Sequence, residues 1–210
     1  MLQARQFING LDMAFDALPS GVRLLPELIT PDDEARLVAA VDAGAWEEPR
    51  RDDGHRSQQF GWWRPQLLAQ SGQPDRFIGA LPEWAEALGR RLHVLAPFDY
   101  APDHLVVREL VPGAHPRLRP GQGRTVATLA LLSDLPVRFR RREGAGDWHL
   151  SQPRRSLLVL TERFDEAWDR TILPTGLPSA GRAMATDARQ APTPPPSRLL
   201  TLTFRRVSAV

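Results

Sequence analysis

The chain has no cysteine and no lysine. Without thiols there is no disulfide framework, no zinc–thiolate site, no iron–sulfur cluster and no thiol nucleophile. Without lysine, every one of the 27 basic residues is arginine, and 25 acidic residues balance them to a net charge of +2. That small excess does not describe a protein that wraps nucleic acid by charge alone. Long hydrophobic runs are missing as well. Stretches such as 126–132 and 157–160 fall far short of the about 20 apolar residues that cross a bilayer. The opening residues 1–10 hold no apolar core ahead of a small-residue cleavage site, so a cytoplasmic protein with no membrane partner is the expectation.

What remains is an ordinary globular composition. The 210 residues are 42% hydrophobic and 25% charged, which suits one domain with a sizeable core. A helix is expected over 31–43: Thr30 suits the N-cap, Pro31 the first helical position, and Asp32, Asp33 and Glu34 complement the dipole. A short strand is expected just before it, over 21–25. Residues 50–61 are polar and read as a loop leading to the aromatic cluster Phe60, Trp62 and Trp63. A second helix is expected over 82–95, with Trp84, Leu88, Leu92 and Leu95 at helical spacing. Strands then dominate, at 105–110, 125–132, 137–141, 156–160 and 198–205. The segment 137–141 alternates apolar with charged residues, so one of its faces should be wet. Residues 174–197, with Pro194, Pro195 and Pro196, read as a long flexible loop. Helices first and short strands after point to an α+β fold with a double-sheet or barrel-like β core.

Taken in order, several segments resemble the AlkB-like family of Fe(II)/2-oxoglutarate-dependent dioxygenases. They are Gly21-Val22-Arg23-Leu24-Leu25-Pro26, Gln58-Gln59-Phe60-Gly61-Trp62, Leu81-Pro82-Glu83-Trp84, Val107-Arg108-Glu109-Leu110-Val111-Pro112-Gly113, Arg155-Ser156-Leu157-Leu158-Val159-Leu160-Thr161 and Leu200-Thr201-Leu202-Thr203-Phe204-Arg205. The resemblance implies a double-stranded β-helix, the jelly-roll core of that family, with N-terminal helices packed outside. It divides the chain into an N-terminal extension, 1–20, and the domain itself, 21–210. It also implies an iron held by two histidines and a carboxylate, with open positions for 2-oxoglutarate and oxygen.

The ligand seats that the resemblance assigns are altered. The family has His-x-Asp after its Pro-Gly turn. Here that seat falls on His115-Pro116-Arg117 or, in a second register, on Arg119-Pro120-Gly121. The first register is preferred because it keeps one ligand-type residue, but both lack the aspartate. The later Trp-x-His of the family falls on Trp168-Asp169-Arg170. Arginine has no lone pair to give a metal and stays charged, so Arg117 and Arg170 would repel Fe(II). His115 is then the one remaining ligand-type residue. His55 and His149 are at no recognisable ligand spacing.

For the co-substrate, the family places two arginines six residues apart on its last strand. Arg205 matches the second and Leu199 occupies the first, while Arg198, one place off, should point to the opposite face. The resemblance further assigns Phe60, Trp62, Trp63 and Glu109 to substrate binding. The aromatic ones serve equally as core anchors. Arg117, Arg119 and Arg170 suit an anion pocket in the iron's place, for a small dicarboxylate. Arg138, Arg140, Arg141 and Arg142 suit nucleic-acid phosphates, or are simply a wet face. Three functions stay open: a binding or regulatory pseudoenzyme on the dioxygenase scaffold, an active dioxygenase with substituted ligands that dealkylates nucleic acid or protein, or a structural or interaction module whose pocket has no ligand.

Overall fold

A computed structural model describes residues 18–47, 55–63, 76–96, 98–110, 117–118, 125–173 and 198–207. Strand β1 (Val22–Leu25) leads to helix α1 (Pro31–Asp42). Thr30 caps that helix: its hydroxyl accepts from the Asp33 N–H at 3.1 Å, and the Asp33 carboxylate accepts from the Thr30 N–H at 3.2 Å. Strands β2 (His55–Trp63) and β3 (Arg76–Gly79) follow, then helix α2 (Glu83–Leu95). The remainder is β4 (His104–Leu110), β5 (Arg117–Leu118), β6 (Val126–Leu131), β7 (Leu135–Arg141), β8 (Asp147–Gln152), β9 (Leu157–Leu160), the short α3 (Glu162–Ala167), β10 (Trp168–Ile172) and β11 (Leu199–Arg205).

These strands form two antiparallel sheets. The larger runs β1-β9-β6-β11-β4-β2-β3 and the smaller β5-β10-β7-β8. Strand periodicity divides the larger sheet into two faces. On one face Leu105, Val107, Ala127, Leu129, Leu131, Leu157, Val159, Leu200, Leu202 and Phe204 form an apolar cluster with Leu88 and Leu92 of α2 and Val41 of α1. Both helices therefore lie outside the β core. On the other face Leu110, Ala130, Leu158, Leu160 and Leu199 pack with Val137, Phe139, Leu150 and Ile172 of the smaller sheet. The two sheets thus meet face to face. This is the jelly-roll arrangement the sequence resemblance implied.

The expectation of a loop over 50–61 is corrected from residue 55 onward, where β2 pairs along the whole of β4 from His55↔Leu110 to Gly61↔His104. Its polarity has a physical cause. Gln58 reaches α1 and donates to the Val41 carbonyl at 2.8 Å, while Ser57 and Gln59 meet the Glu47 carboxylate at 3.1 Å. Neither face of β2 needs an apolar row, so no hydrophobic alternation marks it. Residues 174–197 and the extension up to residue 17 lie outside the described residues.

Candidate functional site: a cationic chamber between the sheets

The register places polar side chains in rows on the inner face of the larger sheet. Arg108 stands between Ser57 and Thr201. Thr203 stands between Val106 and Thr128, its hydroxyl 3.4 Å from that of Thr128. Arg205 stands between His104 and Val126. His104, Arg108, Thr128, Thr201 and Thr203 are all buried, and Arg205 is half-buried. Arg108 and Arg205 belong to rows four residues apart along β11, about 13 Å at 3.3 Å per residue. Extended arginine side chains can span much of that interval.

The smaller sheet contributes Arg170. It pairs with Phe139 on one side and Leu118 on the other, and it shares its face with Ile172 of the inter-sheet cluster. It is 5% exposed, and Arg108 across the space is 4% exposed. Two almost fully buried guanidinium groups therefore come from facing sheets into one interior. Arg117 pairs with Thr171, so the two seats that the resemblance gives to metal ligands lie on neighbouring strands, one register step apart. His115 and Arg119 fall outside the described residues.

This donor set does not fit Fe(II). The position that the resemblance gives to the later histidine holds a guanidinium, which has no lone pair to donate and repels a cation. Among the described residues, no three His, Asp or Glu side chains come together as metal ligands would. Of the other histidines on the described strands, His149 is exposed on β8 opposite Arg138, while His55 and His104 stand on the inner face of the larger sheet, opposite Leu110 and Arg205. The inner faces suit a different chemistry. Guanidinium forks bind oxyanions bidentately, and threonine hydroxyls can complete the shell.

Other sequence candidates lie elsewhere. Glu109 points to the helix side, where its carboxylate accepts from Arg56 and, at 2.5 Å, from Arg198. Arg198 also holds Asp42 at 2.9 Å and so points away from the chamber, as the one-residue offset implied. Its guanidinium keeps the Asp42 carboxyl below the usual carboxylate range. Phe60 packs edge-on against Trp84 of α2, with ring centroids 6.4 Å apart. Trp62 meets Phe77 of β3 at 5.7 Å, next to a bulge at Gly61. Trp63 pairs in register with Arg76. Arg138 and Arg140 share Asp147 on the solvent side of β7, and Arg142 holds Asp169 at 3.0 Å. The hydrogen bond from Arg138 holds the Asp147 carboxyl low. Arg141 is exposed at the end of that strand.

The sequence reading passed over Arg108, His104 and the three threonines as site residues. A signal was present: Thr201 and Thr203 alternate with Leu200, Leu202 and Phe204, the pattern of a strand with one polar and one apolar face.

No family model matches the chain. Among curated proteins it is 27% identical over 174 residues to the tRNA (carboxymethyluridine(34)-5-O)-methyltransferase ALKBH8 of Mus musculus. That match takes in 78% of the chain but spans only 26% of the mouse protein. Among solved structures, OsALKBH1 aligns over 90% of this chain and 100% of its own, with a TM-score of 0.56 and 17% identity. A prolyl-4-hydroxylase of Pseudomonas putida aligns over 90% and 94%, with a TM-score of 0.52 and 15% identity.

Proposed function

The chain has the AlkB-like 2-oxoglutarate/Fe(II) dioxygenase fold, and from that premise we propose that it is a binding or regulatory pseudoenzyme, without a working iron centre. The observation that carries this reading is Arg170. It is buried on the inner face of β10, and the sequence resemblance assigns its position to the family's later metal histidine. A metal ion beside a fixed guanidinium would meet repulsion in a medium that screens it poorly. The aspartate seat, on Arg117 or Gly121, supplies no carboxylate either.

The resident ligand is a small dicarboxylate or a related anion, met by Arg205 and its neighbours, and no chemistry is performed on it. Nucleic acid is a further partner, for which the name of the mouse relative speaks. The patch at Arg138, Arg140, Arg141 and Arg142 offers four guanidinium groups, partly offset by Asp147 and Asp169. Fluorescence anisotropy with a labelled RNA at two salt concentrations tests that part: binding that fades with salt supports it, and no binding at low salt refutes it.

Purified protein is titrated with Mn(II) and with 2-oxoglutarate while its melting temperature is followed, and is then incubated with Fe(II), ascorbate, 2-oxoglutarate and oxygen. No metal-dependent rise and no succinate are expected. Succinate above the enzyme-free background would overturn the reading in favour of an active dioxygenase with unusual ligands.

A further inference from the structure

We infer that three strained turns form a cradle for one carboxylate, and that the chain fills it with its own Glu34, which docks helix α1 as an intramolecular ligand. The cradle does not depend on the pseudoenzyme reading.

Backbone geometry marks the place. Among the described residues, Glu27, Leu132 and Arg155 are the non-glycine residues with positive φ, at 48°, 71° and 60°. They come from three separate turns: β1 to α1, β6 to β7, and β8 to β9. The left-handed conformation is unfavourable for such residues and persists only where the surroundings enforce it. Here the turns enforce one another. The Arg155 N–H donates to the Ala130 carbonyl at 2.7 Å, and the Arg155 carbonyl accepts from the Leu28 N–H at 2.8 Å. The Arg155 guanidinium holds the Glu27 carboxylate at 3.1 Å. Glu34, 3% exposed in the first turn of α1, lies where these turns meet.

The chemistry fits a single carboxylate. One oxygen of Glu34 accepts from the Leu132 N–H at 2.8 Å. The other accepts from the Arg154 guanidinium at 2.6 Å and lies 3.8 Å from that of Arg155. Each oxygen thus has its own donor, and the charged donors make strong bonds. Two more carboxylates border the cradle without filling it. Glu27 holds Arg155, and Asp134 accepts from the Arg154 N–H at 2.8 Å. These two offset the arginine charges, so the cradle suits a monocarboxylate better than a dianion. Emptied, it would leave the Leu132 N–H without an acceptor.

The turn that grips Glu34 also grips the sheet. Ser133 donates to the Arg198 carbonyl at 3.0 Å, just ahead of β11, and Arg198 holds Asp42 at the other end of α1. Both ends of the helix are therefore fastened by carboxylates, and Glu34 is the buried one.

The test removes the ligand and supplies it from solution. Glu34→Ala takes away the heavy atoms of one acetate ion. Melting temperature of the full chain is followed against sodium acetate, with sodium chloride at matched ionic strength as reference. For Glu34→Ala a saturable rise is expected that regains at least half of the lost melting temperature. Wild type, whose cradle is filled, should not respond. Nor should Asp33→Ala, which loosens the same helix at its cap but leaves Glu34 in place. Adding Arg154→Gln to Glu34→Ala should weaken the acetate response about tenfold. Should Glu34→Ala not fold in chloride, it is diluted from urea into either salt, and folding in acetate alone, read by circular dichroism, is the expected result. An equal response of wild type or Asp33→Ala, a response indifferent to Arg154, or a Glu34→Ala variant that acetate neither stabilises nor folds overturns the inference.

Discussion

Replacing Glu109 by alanine would separate a scaffold residue from a ligand residue. The Glu109 side chain is 15% exposed and accepts from Arg56 and Arg198, whose side chains are 42% and 32% exposed. Hydrogen bonds to charged groups are worth about 1.5–3 kcal/mol, and exposure of the partners brings each down to about 1 kcal/mol. The substitution should therefore cost about 2 kcal/mol, or roughly 4–8 °C in a domain of this size. The loss stops there because neither arginine is stranded. Arg56 keeps its place over the Trp46 ring, 4.3 Å from the centroid, and Arg198 keeps Asp42. Glu109→Gln preserves the shape and should cost about half as much, since neutral hydrogen bonds survive where charge-assisted ones are lost. Urea denaturation measures both, and a double-mutant cycle with Arg198→Ala should show about 1 kcal/mol of coupling. Anion affinity should stay at the wild-type value. Stability within about 0.5 kcal/mol of wild type, together with lost anion binding, would return Glu109 to the ligand site and refute the helix-side assignment.

Other expectations follow from the same structure. The buried Glu34 carboxylate accepts from the Leu132 N–H at 2.8 Å, where Leu132 has a φ of 71°, and from Arg154 at 2.6 Å. Glu34→Ala should cost about 3 kcal/mol in urea denaturation, since it strands a backbone donor, and Glu34→Gln clearly less; equal losses would refute the account. Acid titration tests the charges. Burial raises the Glu34 carboxyl, but the bonds from Arg154 and Leu132 outweigh it and hold it low, and Arg198 does the same for Asp42. Carboxyls whose folded values are depressed stabilise fully above the unfolded carboxylate range, and the stabilisation fades as pH falls through the folded values. The urea midpoint should therefore be level from neutral pH to about 5 and fall below that; a midpoint that rises on acidification would contradict this. Gly61 has a φ of +82°, and a Cβ there would come within 1.9 Å of the Asp103 carbonyl oxygen. Gly61→Ala should cost about 3 kcal/mol or abolish folding, read by circular dichroism and melting temperature.

The fold was legible wherever a strand or helix had one greasy face. The continuous run Leu157–Leu160 and the helices over Leu88 and Leu92 are of this kind. Strand β2 was not legible, because Arg56 and Gln58 precede Phe60 on its helix side and break the apolar row, while Ser57 and Gln59 make its other face polar. The positions assigned to iron ligands come only from the resemblance, since spacing alone gives Arg170 no meaning. Arg108 was masked by its setting in Leu105-Val106-Val107, which reads as an ordinary core strand. Glu109 and Phe60 took site roles from motif position, yet both stand at odd steps from the chamber rows and so face the helices. The parity of a strand is decided by its register, which no motif states.

On β11, Leu200, Leu202 and Phe204 grip the helices while Thr201, Thr203 and Arg205 look the other way. A ribbon built like this answers to two masters that do not consult each other. Reagents on one side can be exchanged wholesale while the adhesive on the other is left alone. Such a chassis does not depend on any one reaction, and it is a ready frame on which a protein engineer can mount a chemistry of another kind.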